Sequence, residues 1–293
     1  MEGRRRGQTR ATIRIVEAGR VRRQKDVLAT EEPLEIRLRH RTLSRSVAVT
    51  MRTPGNDFEL TAGFLFAEGF ISDRDDIDRL SYCVGDDACS DGQQYNQVTV
   101  DLRSHVELDP TLLNRNFDVS SSCGICGKSS LDQIERRGIT PLPPGPTVPH
   151  DILYRLPDTL RDAQGLFATT GGLHAAGLFT ISGGLVALRE DVGRHNAVDK
   201  LIGWALLEGK LPLRDYLVLV SGRSSFEIAQ KCVTAGVPIL AAVSAPSSLA
   251  VDIASRFNMT LIGFLRGDRF NIYHGAPRIA LAEPSPTNHQ HSP

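Results

Sequence analysis

The chain has 293 residues, 41% of them hydrophobic, with 34 basic and 34 acidic side chains and a formal charge of +0. That length supports a sizeable core and more than the simplest single domain, and the zero balance excludes a general electrostatic attraction to nucleic acid or membrane. No apolar run approaches the ~18 residues of a membrane span and the N-terminus lacks the apolar core of a signal, so the sequence reads as a cytoplasmic chain.

The N-terminus is locally basic, with Arg4, Arg5, Arg6 and Arg10. Residues 1–11 read as a solvated tail, and contact with an acidic partner is the sharper reading. Thr12–Val16, Glu35–Leu38 and Val47–Met51 alternate apolar and polar residues, as half-buried strands do. Thr53-Pro54-Gly55-Asn56-Asp57 is a turn, followed by helical spacing over Phe58–Phe70 and another strand at Asn96–Leu102. This pattern predicts an α+β domain over residues 12–137. A linker over residues 138–149 carries Pro141, Pro143, Pro144, Pro146 and Pro149, which withhold backbone donors and resist regular structure.

The second domain, residues 150–278, has another rhythm. Ala176–Ile181 and Leu185–Leu188 flank the hairpin signal Ser182-Gly183-Gly184. Ala197–Leu207 is a helix, Tyr216–Val220 a buried strand, and Ser224 with Glu227 forms a capping-box pattern for the next helix. Val237–Val243, Ser247–Phe257 and Thr260–Leu265 continue as strand, helix and strand. Such alternation predicts an α/β fold with a mainly parallel sheet, whose ligands bind beyond the carboxyl ends of the strands. Those ends are Ser221-Gly222-Arg223-Ser224, Ser244-Ala245-Pro246-Ser247 and Arg266-Gly267-Asp268-Arg269, small, polar or basic stretches that suit an anionic ligand. Residues 279–293 read as a disordered tail.

Five cysteines, few and odd in number, do not make a secreted disulfide framework. Cys123-Gly124-Ile125-Cys126 lies among serines and glycines with Lys128 close by. Two thiols at this spacing can carry a disulfide, a metal or a sulfur atom in transit, and a nearby cation lowers a thiol pKa. Cys83 and Cys89 are spaced too widely for a regular zinc knuckle with this pair, and Cys232 falls inside a helix as a small core residue. A thioredoxin-like CxxC would open a helix in a compact βαβ unit, which this one does not. Glu190-Asp191-Val192-Gly193-Arg194-His195-Asn196 opens a helix, where free N–H groups favour anions and Arg194 can fork onto a phosphate. His195 suits proton exchange near neutrality, against the plainer reading of a capped helix with surface charges. His174 follows Thr170-Gly171-Gly172, a close-approach backbone, and as a lone histidine is either a packed core residue or a ligand contact.

Taken together these stretches resemble the FdhD family of formate dehydrogenase accessory proteins. The matching motifs are Thr53–Asp57 with Glu59-Leu60, Gly63-Phe64-Leu65, Glu68-Gly69, Ser121–Lys128, Thr170–Ala176, Glu190–Lys200, Ser221-Gly222-Arg223 and Gly263–Gly267. The resemblance implies a cytidine deaminase-like second domain, yet His174-Ala175-Ala176 lacks the glutamate of H-x-E and no P-C-x-x-C follows, so deamination is not expected. It implies a sulfurtransferase. Sulfane sulfur would come from a cysteine desulfurase as a persulfide on Cys123, with Cys126 resolving it or the two roles exchanged, and pass to the molybdenum of a bis-molybdopterin guanine dinucleotide before insertion into formate dehydrogenase. Phe264, Leu265, Arg266, Gly267, Asp268 and Arg269 would contact that cofactor, joined by Arg194, His195, Arg223 and His174. Guanine nucleotides would share the site. No metal of its own, no nucleic acid and no membrane partner is expected. The family is often dimeric, which no sequence feature here establishes. Two other readings stand beside this one, a non-catalytic cofactor chaperone and a zinc-stabilised interaction module.

Overall fold

The structure is a computed structural model that describes residues 7–83, 95–113, 135 and 138–281. Cys89, Cys123 and Cys126 lie outside the described residues. Strand β1 (Gln8–Glu17) pairs with β2 (Arg20–Ala29) in an antiparallel ribbon. Ala18 and Gly19 join them at φ 48° and 77°, the doubly left-handed turn whose twist suits the adjoining strands. Among the described residues regular structure thus starts at Gln8, inside the expected tail.

Strands β3 (Glu32–His40), β4 (Leu43–Arg52), β5 (Ile77–Tyr82) and β6 (Gln97–Leu102) form a second sheet in the order β4-β3-β6-β5. Alternation in β3 and β6 turns Leu34, Ile36, Leu38, Val98 and Val100 into the core, where they join Leu60 and Leu65 of helix α1 (Asp57–Glu68). Arg52, at the end of β4, is buried beside Asp57. Its Nε and Nη2 donate to the two Asp57 carboxylate oxygens at 3.1 Å each, so the turn before α1 is closed by an ion pair. A short helix α2 spans Pro110–Leu113.

The proline-rich segment does not run free. Leu142 N–H donates to Phe257 O at 2.9 Å, and its last residues form β7 (Val148–Pro149), parallel to β14 (Ile279–Ala280). Both short strands fall where a linker and a tail were expected. Helices α3 (His150–Ala163) and α4 (Gly165–Thr170) follow. The main sheet contains β8 (His174–Thr180), β9 (Leu185–Asp191), β10 (Tyr216–Val220), β11 (Ile239–Ala242), β12 (Thr260–Arg266) and β13 (Arg269–His274). Its order is β13-β12-β11-β10-β8-β9. Only β10-β11-β12 pair in parallel; β8, β9 and β13 are antiparallel additions, so the α/β sheet is mixed. Helices α5 (Arg194–Leu207), α6 (Phe226–Thr234) and α7 (Ser248–Arg256) supply the crossovers and cover.

Alternate residues of the central strands feed two cores. Leu178, Val218, Leu240 and Leu261 face one cluster, which continues without a break into the N-terminal sheet and α1. Leu217, Leu219, Ile239 and Ile262 face the other, capped by Leu153 and Leu156 of α3. Burial on both faces explains why these strands read as unbroken apolar runs. The halves are joined at a close crossing of α1 and α5. A Cβ on Gly63 would lie 1.9 Å from Asp199 O, and one on Gly203 1.8 Å from Glu59 O. Each glycine admits the other helix's backbone. Among the described residues no helix is long and apolar enough to cross a membrane.

Candidate functional site along the carboxyl edge of the main sheet

The three parallel strands end together, and the loops leaving them are bonded to one another. Ser247 N–H donates to Ser224 O (3.0 Å), and Phe264 N–H to Ser244 O (3.1 Å). Because β8 runs antiparallel, its first residue, His174, lies at the same edge, paired in register with Asp191 at the end of β9. The stretch from β12 to β9 crosses four strand spacings, about 19 Å, room for an extended ligand rather than a compact one.

Asp191 is the buried anchor of this edge. Lys200 Nζ stands 2.7 Å from its Oδ2, with neither side chain more than 2% exposed. Thr53 N–H, Gly193 N–H and Asn196 Nδ2 also donate to the carboxylate, at 3.1, 2.8 and 3.0 Å. Lys200 further donates to Thr53 O at 2.9 Å, and Asn196 to Met51 O at 2.7 Å. Most of the Glu190–Lys200 motif therefore works inward, clamping the turn after β4 to the start of α5. Glu190 accepts from Leu166 and Phe167 N–H at 3.0 and 2.8 Å, capping α4.

Arg194 and His195 face the other way. Arg194 Nε is buried without a hydrogen-bond partner among the described residues, as is Ser224 Oγ. A buried unpaired donor costs about 1–3 kcal/mol, so both atoms are poised for a ligand oxygen. His195 Nε2 lies 2.9 Å from Glu227 Oε2 and 3.0 Å from Ser225 Oγ. The bond from His195 holds the Glu227 carboxyl below its ordinary range, against the opposing effect of burial. This arrangement corrects the expected capping box. Ser225, not Ser224, precedes α6, and its side chain makes no cap because it bonds His195, as does Glu227. Serines do fill the remaining edge, with Ser221 Oγ accepting from Ala175 N–H at 2.9 Å and Ser247 accepting from Ala250 N–H at 3.3 Å.

His174 is half-buried. Burial, then the neighbouring Arg194 and His195, push its pKa below 6.5, against the opposing pull of Asp191. A Cβ on Gly222 would come 3.3 Å from His174 Nδ1, so the loop after β10 lies against the ring. At the far end, β12 and β13 turn through Gly267-Asp268, with Arg266 paired to Arg269. A register shift between Gly263 and Arg266 coincides with Phe264 at φ 54°, a left-handed non-glycine residue that kinks the hairpin. Arg266, Gly267, Asp268 and Arg269 are exposed, whereas the Leu265 side chain is fully buried in the core. Leu265 therefore seats the loop; its side chain is not open to a ligand. Arg223 is exposed. His174, Arg194, His195, Arg223, Arg266 and Arg269 thus share one edge.

Cys83 follows β5 and is disulfide-bonded. Cys232 is free and buried, its thiol pushed up to about 12 by burial, which makes it a packing residue. Among the described residues no group of His, Cys, Asp and Glu is placed to hold a metal ion.

A family model for FdhD/NarQ matches residues 29–280. The chain belongs to the FdhD/NarQ family. Relatives named sulfur carrier protein FdhD include one from Streptomyces avermitilis, 54% identical over 276 residues, covering 93% of this chain and 95% of its own. The relative from Mycobacterium tuberculosis is 48% identical over 272 residues, 91% of this chain and 96% of its own. A third, from Sulfurisphaera tokodaii, is 46% identical over 254 residues, 87% and 92% of the two chains. The crystal structure of a Desulfotalea psychrophila protein, described as a formate dehydrogenase accessory protein, superposes with a TM-score of 0.71 at 25% identity, covering 93% of this chain and 99% of its own. Family membership places the cation-bearing edge and the Asp191 anchor within the region the FdhD/NarQ model spans.

Proposed function

We propose that this protein is a sulfur carrier that serves formate dehydrogenase. It accepts sulfane sulfur from a cysteine desulfurase as a persulfide on Cys123 and delivers it to the molybdenum of a bis-molybdopterin guanine dinucleotide, the substrate of the transfer. In the release step the Cys126 thiolate attacks Cys123 Sγ. A Cys123–Cys126 disulfide forms, the bond to the outer sulfur breaks, and that sulfur leaves with the electron pair as sulfide for the metal. A cellular dithiol then reduces the disulfide for the next cycle.

The relatives' names support the carrier reading, and the carboxyl edge supports the cargo. Its carrying observation is the pair of buried polar atoms without partners among the described residues, Arg194 Nε and Ser224 Oγ, beside the exposed Arg223, Arg266 and Arg269. Guanidinium groups bind phosphate by charge-assisted, often two-pronged hydrogen bonds, and two nucleotide diphosphates spread along about 19 Å of edge match that layout.

The test separates loading from docking in the full-length protein. Incubation with a cysteine desulfurase and cysteine adds the mass of one sulfur to the peptide bearing Cys123, and Cys123→Ala abolishes that addition. Titration calorimetry with guanosine diphosphate shows binding that Arg266→Ala and Arg269→Ala each weaken by about one to two orders of magnitude, without changing loading. Binding without loading assigns the chain to cofactor chaperoning instead. Unchanged binding in both arginine variants removes the β12–β13 hairpin from the cofactor site.

A further inference from the structure

The β1–β2 ribbon has no place in the chemistry above. Among the described residues it pairs with no other strand, and the family model begins at residue 29, just beyond its main body. Two strands of ten residues make an arm about 34 Å long, and in an antiparallel pair directly opposite residues share a face. The register therefore sorts the side chains. Arg10, Thr12, Arg14 and Val16 stand opposite Val27, Lys25, Arg23 and Val21 on one face; Ala11, Ile13 and Ile15 stand opposite Asp26, Gln24 and Arg22 on the other. The second face is partly covered, with Ala11, Ile13, Ile15 and Asp26 half-buried. On the first face Arg10, Arg14, Arg23 and Lys25 are all exposed, no carboxylate joins them, and none makes an ion pair with a described residue. Arg14 is directly opposite Arg23, a like-charge pairing that costs the ribbon stability.

Charge is thereby segregated along a chain of zero net charge. Residues 8–29 hold six cations and two carboxylates, leaving twenty-eight cations against thirty-two carboxylates elsewhere. Val16 and Val21, opposite each other near the tip, are 69% and 63% exposed, an apolar spot inside the basic face. The base of the ribbon is fixed. Gln8 Nε2 donates to Thr169 Oγ1 at 2.6 Å, Thr9 and Thr30 hydroxyls bond at 2.7 Å, and Ala29 Cβ lies 3.6 Å from where a Cβ on Gly172 would be. Gly172 is two residues before His174 at the edge of the site.

We propose that the ribbon is a docking arm whose basic, valine-tipped face takes an acidic patch on a partner protein, held so that the partner meets the rim of the site. A protein fits better than a polyanion such as nucleic acid. No residue in 8–29 is aromatic, so bases have nothing to stack on, the rest of the chain repels a long phosphate polymer, and the exposed valine pair gains nothing from a backbone of phosphates. The docking stands apart from the sulfur chemistry; only the identity of the partner as donor or acceptor of sulfur rests on the proposed function.

The test uses the full-length protein, a fluorescent twenty-residue polyglutamate as the acidic-polypeptide probe, a twenty-base-pair duplex DNA, and vesicles of anionic phospholipid. The variant Arg14→Gln/Arg23→Gln/Lys25→Gln relieves the like-charge opposition, so the ribbon is retained and its melting temperature does not fall. Polyglutamate binding weakens about tenfold in that variant and is unchanged by Arg214→Gln, an equally exposed arginine outside the ribbon. Equal polyglutamate binding by parent and triple variant overturns the proposal. Tighter binding of duplex DNA or of vesicles than of polyglutamate, lost in the triple variant, overturns it in favour of that class of partner. The assay contains no persulfide, so its failure is distinct from failure of sulfur loading.

Discussion

Substituting alanine for Gly203 tests whether the two halves of the chain are one mechanical body. The added methyl would sit 1.8 Å from Glu59 O, 2.7 Å from Glu59 C and 2.7 Å from Gly63 N, all backbone atoms of α1 that no rotamer change can move. Relieving that clash needs α1 and α5 to separate by more than 1 Å on the scale of an ordinary carbon–oxygen contact of about 3.5 Å, loosening Leu60, Leu65, Leu201 and Ile202 along the seam. Overpacking costs about 1–3 kcal/mol and more where neighbours are rigid, while alanine recovers about 1 kcal/mol of helix propensity. The net expectation is a loss of about 3 kcal/mol, which for a chain of this size lowers the melting temperature by about 6–12 °C. Circular dichroism melts measure it, with Gly165→Ala as control, since a Cβ there has nothing within 4 Å. Gly63→Ala in the Gly203→Ala background costs less than alone, because the seam is already open. A Gly203→Ala melt within 2 °C of the parent, a margin of under about 1 kcal/mol, would refute the reasoning.

Lys200→Met strands the Asp191 carboxylate in the interior and lowers stability by about 3–5 kcal/mol in urea titrations, and adding Asp191→Asn recovers much of the loss. His174 titrates below 6.5 in ring-proton NMR because burial and Arg194 disfavour its charged form. The sign follows: its stabilising share is full above pH 6.5 and is lost as pH falls through the lowered value, a loss His174→Gln removes; a midpoint at or above 6.5 counts against it. Arg194→Ala weakens guanosine diphosphate binding about tenfold, read by calorimetry, without lowering the melting temperature of the free protein, since its Nε has no partner among the described residues to lose.

The elements legible in the sequence were those with one wet face or two dry ones. β3 and β6 announce themselves by alternation, and β10 to β12 by short apolar runs whose carboxyl ends place Arg223, Arg266 and Arg269 on one edge; His174 and Arg194 reach that edge through the antiparallel pairing of β8 with β10 and β9, which the runs do not show. Arg20–Ala29 gave no signal because both faces of most of the strand are exposed, so no period of two survives. Ser224 and Glu227 imitated a capping box since local spacing carries no record of His195, thirty residues away, which takes Ser225 and Glu227 for itself. The inward role of Asp191, Asn196 and Lys200 was equally hidden, since their partners at Met51 and Thr53 lie about 140 positions earlier.

That separation bears on how the chain is made. Thr53 N–H is buried and its acceptor, Asp191, is 138 residues downstream, so a ribosome must extend the chain by most of another domain's length before the turn after β4 finds its partner. At about 5–20 residues per second this is a wait of roughly 7–28 s with the Thr53 N–H and the face of α1 that will meet α5 uncovered. Splitting the gene within the proline-rich segment would leave each fragment with half of a buried network, and neither would be expected to accumulate as a folded protein. The folding of each half thus depends on the other across that separation, and non-local pairing of this kind is intrinsically slow to form.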